Sequence, residues 1–234
     1  MNSKHLLILM LVLGVVAGVA AQDSTPSPES IGVDTAQQNL QEISIDRFED
    51  PGFWLSSIPA DRGLVMHRRL EGAPADKEPI PGEEEAGVEV TDENVIGMKV
   101  NFYRRGDAAV SLVPVRPLAV PGIVKTLSVW VVGRNFQHRL SVVLEDYFGN
   151  VNVLPMGTLN FSGWKQLTVA IPPSLDQRNP HYNQETGIRI RGFVIDAAIE
   201  EAFGTYYVYF DDLRAVTDLF AEVSRDPDDM VDNW

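Results

Sequence analysis

Leu140-Ser141-Val142-Val143-Leu144-Glu145-Asp146-Tyr147-Phe148-Gly149-Asn150-Val151-Asn152-Val153-Leu154 spells a strand, a turn and a second strand. Leu140, Val142 and Leu144 alternate with Ser141, Val143 and Glu145, the period of two that places one set of side chains on a buried face. Gly149-Asn150 supplies the turn, since both residues tolerate the backbone conformations a tight connection needs. Leu167, Val169 and Ile171 repeat the alternation against Thr168 and Ala170. Val129-Trp130-Val131-Val132 is apolar on both faces, which places it centrally in a sandwich and makes Trp130 a core residue. In Ile188-Arg189-Ile190-Arg191-Gly192-Phe193-Val194-Ile195 the apolar parity changes after Gly192, the mark of a β-bulge.

The same reading extends along the chain. Strands are expected at Ile43–Phe48, Val65–Arg69, Gly97–Tyr103, Ala109–Val113, Thr126–Val132, Leu140–Tyr147, Val151–Leu154, Trp164–Ile171, Ile188–Ile195 and Thr205–Leu213. Only Asp196–Ala202 and Asp218–Val223 offer a helical turn or two. Ten short strands without a long amphipathic helix predict an all-β, jelly-roll-like two-sheet β-sandwich, similar in build to carbohydrate-binding modules. No repeat at solenoid or propeller spacing occurs.

The chain has 234 residues, no cysteine and a formal charge of −14, with 44% hydrophobic residues. That length suits one domain with tails. The missing thiols exclude a disulfide framework, Cys-ligated zinc and thiol catalysis. The negative charge argues against nucleic acid as a partner, because phosphate binding needs a cationic footprint. Residues 1–21 read as a secretory signal: Lys4, the apolar run Leu6–Val19, then Val19-Ala20-Ala21, with cleavage between Ala21 and Gln22. The run falls short of the roughly 20 apolar residues of a spanning helix. No second apolar run approaches that length, so no membrane insertion is expected after the signal is removed. Residues 22–39 read as a flexible lead, 40–220 as the sandwich domain and 221–234 as an acidic tail.

Charge is segregated. Glu71–Asn94 holds nine acids against Lys77 alone, and with its Pro and Gly residues reads as a flexible, solvated loop. Glu222–Trp234 carries five acids against Arg225. Between them, Gly97–Tyr147 has a net charge of +4.

Chemical signatures are sparse. There is no phosphate loop, nucleophile elbow or H-E-x-x-H, and His67, His138 and His181 lie far apart. Glu145-Asp146 and Asp211-Asp212 are acid doublets, but neighbours on a strand point to opposite faces, so neither doublet alone makes a glycosidase pair. No catalytic residue is assigned. Glu49, Asp211 and Asp212 stand at the ends of the first and last strands, where hard oxygen ligands can hold a structural Ca²⁺; turn capping by Asp is the simpler role. Trp54, Trp130, Trp164 and Tyr206-Tyr207-Tyr209 could stack on sugars, yet their sequence settings favour packing.

Five segments in order carry a family resemblance: Asn101–Gly106, Val129–Asn135, Leu144–Asn150, Leu159–Lys165 and Tyr207–Asp218. Together they resemble the spirochaete flagellar filament outer-layer (FlaA, sheath) proteins over about residues 43–220. The resemblance implies an exported periplasmic jelly roll that coats the internal flagellum, adds to filament stiffness and curvature, and so serves motility. It implies no enzymatic activity and no required cofactor. The expected partners are the core flagellin and other outer-layer subunits. Lys99, Arg104, Arg105, Arg189 and Arg191 are the expected subunit contacts, facing acidic surface on a neighbour and favouring register and on-rate. The alternative function is a carbohydrate-binding jelly roll acting on envelope glycans.

Overall fold

The computed structural model describes residues 39–80, 92–179 and 182–219. Among the described residues there are fourteen strands. The first five are β1 (Leu40–Asp46), β2 (Trp54–Ser57), β3 (Gly63–Glu71), β4 (Asn94–Phe102) and β5 (Ala108–Pro114). Then come β6 (Leu118–Val120), β7 (Ile123–Arg134), β8 (Arg139–Glu145), β9 (Val151–Thr158) and β10 (Ser162–Ala170). The last four are β11 (Arg178–Asn179), β12 (Tyr182–Thr186), β13 (Ile188–Ala197) and β14 (Gly204–Asp218).

Two antiparallel sheets face each other. One runs β10-β7-β14-β4-β3, with β1 added on β14; the other runs β2-β5-β13-β8-β9, with β6 added on β13. We call them the first and second sheet. β11 and β12 pair separately. This is the expected two-sheet sandwich, and all ten expected strands are present within a few residues of their expected bounds. β2, β6, β11 and β12 are additional; each has five residues or fewer, too short to show a period. Among the described residues no long helix replaces a strand: Asp196 and Ala197 belong to β13, and Ala198–Ala202 closes one turn through Ala202 N–H on Ala198 O. Of the second expected helical turn, Asp218 is the last residue of β14 and Leu219 donates its N–H to the Asn39 carbonyl; the rest lies outside the described residues.

The core fills the space between the sheets. Phe48 stacks on Trp54 at 4.7 Å between ring centroids, and Phe193 meets Phe210 from the opposite sheet at 5.5 Å. Leu127, Val129 and Val131 of β7 point into it, as do Leu140, Val142 and Leu144 of β8. Strand pairs in register share a face, so the residues between these point outward. Trp130 is therefore on the outer face of the first sheet, half-buried, and not in the core as its aliphatic neighbours suggest. The core tryptophan is Trp54, which opens β2.

Two local features follow the sequence closely. The β8–β9 hairpin turns at Gly149 (φ +86°), with Asp146 Oδ1 accepting from the N–H groups of Phe148 and Asn150. The register of β13 against β8 shifts between Ile190 and Gly192, the bulge expected from the parity change. A second irregularity lies in β14 between Asp211 and Arg214, where Asp212 has φ +52°.

Candidate functional site

The outer face of the first sheet is where chemistry-bearing side chains gather. Register places them in rows. One row is Met66–Lys99–Tyr207; the next is Arg68–Gly97–Tyr209–Val132–Trp164; a third holds Asp211, Trp130 and Gln166. Beyond the β14 irregularity come Arg214, Ser128 and Thr168.

A segment of the acidic stretch is packed onto this face. Pro74 and Ile80 are buried, and Lys77 Nζ donates to Asp211 Oδ2 at 3.0 Å and to Asp92 Oδ1 at 2.6 Å. Arg214 Nη2 donates to the Glu78 carbonyl at 2.6 Å, while its Nε donates to Asp212 Oδ2 at 2.6 Å. Residues 72–80 thus form a strap held by two cations, a correction to the reading of Glu71–Asn94 as a wholly solvated loop. The single lysine in that stretch is what makes the difference, since it supplies the counter-charge for a buried carboxylate. Residues 81–91 lie outside the described residues.

Asp211 has no exposed surface, and its Oδ1 has no hydrogen-bond partner. Burial pushes its pKa up to about 6 despite the Lys77 ammonium. Burial also raises Asp212, against the pull of Lys77 and Arg214. Glu49 stands apart: its carboxylate accepts from the Glu93 and Asn94 N–H groups and from Asn94 Nδ2. The three carboxylates read as calcium ligands are thus engaged by protein donors, and a cation there would compete with Lys77 and Arg214. Among the described residues, no group of three or more His, Asp or Glu side chains is placed to share a metal ion.

The strap borders a trough of about 440 Å³. Trp130 forms part of its wall, with Gln166, Ser128 and Thr168 beside it and Glu42 and Asp76 at its rim. An indole face next to amide and hydroxyl groups is the combination that receives a molecule with one apolar and one hydroxylated side.

The opposite end of the same face carries a cationic, aromatic patch. Lys99 Nζ lies 5.7 Å from the Tyr207 ring centroid, and the Arg134 guanidinium lies 5.5 Å from that of Tyr209. Met66, Arg68 and Leu70 border a depression of about 230 Å³ with Gly97 at its floor. A Cβ at Gly97 would come within 2.6 Å of Leu70 Cδ1 and 2.9 Å of Tyr209 Cε1, so glycine keeps the depression open.

The five expected contact cations do not form one surface. Lys99 belongs to this patch. Arg104 pairs with Asp61 at 2.9 Å, and Arg105 lies over the Phe203 ring. Arg189 and Arg191 both reach Glu145, on the outer face of the second sheet. Arg68, Arg134, Tyr207 and Tyr209 complete the Lys99 patch. The alternation Tyr207-Val208-Tyr209-Phe210 in the sequence marks the two tyrosines as sharing a face. Tyr206, in contrast, is a core residue against His138. Glu145 and Asp146 are divided as alternation requires, one in an ion-pair cluster and one capping the hairpin turn.

The family model for flagellar filament outer layer protein FlaA matches residues 19–226. The chain belongs to this family. It is 35% identical over 218 residues to a flagellar filament outer layer-like protein of Brachyspira hyodysenteriae, covering 93% of this chain and 98% of that one. It is 30% identical over 123 residues to the flagellar filament outer layer protein of Spirochaeta aurantia, covering 46% of this chain and 34% of that one. With the outer layer protein of Treponema pallidum, identity is 31% over 105 residues, covering 42% and 30%. The chain thus spans about a third of the latter two relatives. Among solved structures, it is similar to carbohydrate-binding modules of the β-sandwich superfamily (TM-score 0.45, 13% identity, 75% of this chain and 61% of that one). It is also similar to a family 11 carbohydrate-binding module of Clostridium thermocellum (TM-score 0.40, 14% identity, 76% and 96%).

Proposed function

We propose that this protein is an exported, non-enzymatic coat subunit of the periplasmic flagellar filament. It lies against the flagellin core and other outer-layer subunits, and adds to filament stiffness and curvature. The observation that carries the reading is the family match over residues 19–226, joined by a relative matched over 98% of its length. The sandwich suits the task physically: a rigid two-sheet body has two broad outer faces on which contacts can be placed. Cryo-electron microscopy of filaments from cells with and without the protein is the test. The expected result is loss of a density layer and a change of curvature; filaments of unaltered diameter and shape refute the reading.

A second reading, glycan binding, is favoured by one observation: Trp130 is on the outer face, in a trough with Gln166, Ser128 and Thr168. A pyranose ring can stack its C–H face on the indole while its hydroxyls meet the amide and hydroxyl groups. A soluble-glycan array supports this reading if binding occurs and drops at least tenfold in Trp130→Ala. An array with no bound glycan removes it.

A further inference from the structure

We infer that the cationic–aromatic patch around Lys99 receives the acidic segment 220–234 of a second copy of this chain. The inference deepens the coat-subunit reading, on which it rests, by naming the parts through which one subunit holds the next.

Among the described residues the patch lacks counter-charges: no ion pair neutralises Arg68, Lys99 or Arg134, although the chain carries 33 acidic residues against 19 basic ones. Elsewhere in the fold several cations find carboxylates: Lys77 has two, Arg214 has two, and Arg189 and Arg191 share one. Others, such as Arg116, Lys125 and Lys165, have no ion pair among the described residues; what sets Arg68, Lys99 and Arg134 apart is that strand register gathers them on one face. Lys99 and Arg134 instead lie against tyrosine rings, an arrangement that holds a cation in place and leaves N–H donors for an incoming anion. Met66, which borders the depression, is 61% exposed, and Tyr207 is 41% exposed. The surface therefore fits a partner that is acidic and also carries apolar side chains.

Residues 220–234 have that composition. Glu222, Asp226, Asp228, Asp229 and Asp232 stand against Arg225 alone, and Met230, Val231 and Trp234 are interspersed among them. The acidic residues of 81–91 (Glu83, Glu84, Glu85 and Glu89) come without an aromatic residue or a methionine, so they match only half of the surface.

Geometry favours a neighbour's segment over the subunit's own. Tyr207 lies twelve residues before Leu219 on β14, about 40 Å along the strand at roughly 3.3 Å per residue. To reach its own patch, the segment would have to run back almost fully extended across the strap and trough. A copy displaced along the β14 axis brings its patch to the point where the segment begins. The contact joins two different surfaces, so repetition gives an open series and not a closed pair, as a filament coat needs.

Sedimentation velocity on the chain from Gln22 onward tests this. Self-association should occur at about 0.05 M salt and weaken steeply at about 0.5 M, where charges are screened beyond a few ångströms. Lys99→Glu with Arg134→Glu should weaken it at least tenfold, as should replacing Asp226, Asp228, Asp229 and Asp232 by Lys. Combining the two variants should restore association, because only direct contact predicts rescue by a charge swap. Cooperative melting of each variant shows that the fold is intact. A chain that stays monomeric, or reversals without rescue, overturns the inference. Filament co-sedimentation of the same variants separates the two readings: a chain that coats filaments without associating by itself keeps the coat function and loses this contact.

Discussion

Asp211 sits in an environment that opposes the charged form of its side chain. It is sealed from solvent, one oxygen is on Lys77 and the other has no partner. Because burial raises its folded-state pKa above the ordinary 3.8 to about 6, the native state binds the extra proton between those values. Its contribution to stability therefore falls as pH rises through that window and is level above it. His138 works in the opposite direction. Burial lowers its pKa below 6.5, so its share is present above 6.5 and is lost as pH falls through the lowered folded value. The wild-type profile mixes the two. Asp211→Asn isolates one: urea titrations from pH 4 to 7 should show the variant gaining on wild type as pH rises, by up to about 3 kcal/mol at roughly 1.4 kcal/mol per pKa unit. A constant difference across that range would mean that Asp211 does not titrate there. Neither the burial nor the Lys77 partner is legible in the sequence, where Asp211-Asp212 is simply an acidic doublet after an aromatic run. The partner lies 134 residues earlier.

The strap shows where an element can be read from sequence and where it cannot. Strands announce themselves by period, and the alternations in β8, β10 and β13 locate them within a few residues. The bulge at Gly192 is legible for the same reason, because it breaks the period. Residues 72–80 have no period, and their Pro, Gly and acid content describes the chain between the pins and not the pins themselves. Trp130 is the converse: a tryptophan among aliphatics fits either face of a central strand, and only the packing of β7 against β14 and β10 settles which. Removing one pin should release the strap. Lys77→Met leaves a buried carboxylate without its ammonium, a loss of about 3 kcal/mol, and amide exchange over residues 72–80 should quicken. Adding Asp211→Asn should recover most of the stability, since the pair is then gone together. If Lys77→Met alone leaves exchange and melting unaltered, the strap is held by Pro74 and Ile80 and not by charge.

For the whole molecule, the segregation of charge seen in the sequence survives folding in altered form. The cations of the central stretch are not one basic surface. Lys99 and Arg134 lie against tyrosine rings on the first sheet, Arg104 and Arg105 lie against Asp61 and Phe203, and Glu145, an acid of the same stretch, occupies Arg189 and Arg191 on the second. Arg104 has an exposed partner in Asp61, a pair worth at most about 1 kcal/mol, so it can be redirected to another subunit at small cost. Arg104→Glu with Arg105→Glu should accordingly weaken filament co-sedimentation in a salt-dependent way, and unaltered co-sedimentation would exclude that corner as a contact. Which basic residues cluster is a matter of strand order, and order is not written in the period of any one strand.

The strand order has a kinetic side. β13 and β14 are the last of the described strands, yet each is the central strand of its sheet. Until both have been made, the second sheet is two pairs of strands with nothing to join them, β2 with β5 and β8 with β9, and the first is β3–β4 apart from β7–β10. Burial of both faces of the core waits on the final thirty or so described residues. Long-range pairing of this kind forms late and slowly. A partial chain that stops short of β13 and β14 therefore cannot close either sheet, and the two-sheet body is available only once nearly all of the domain has been made.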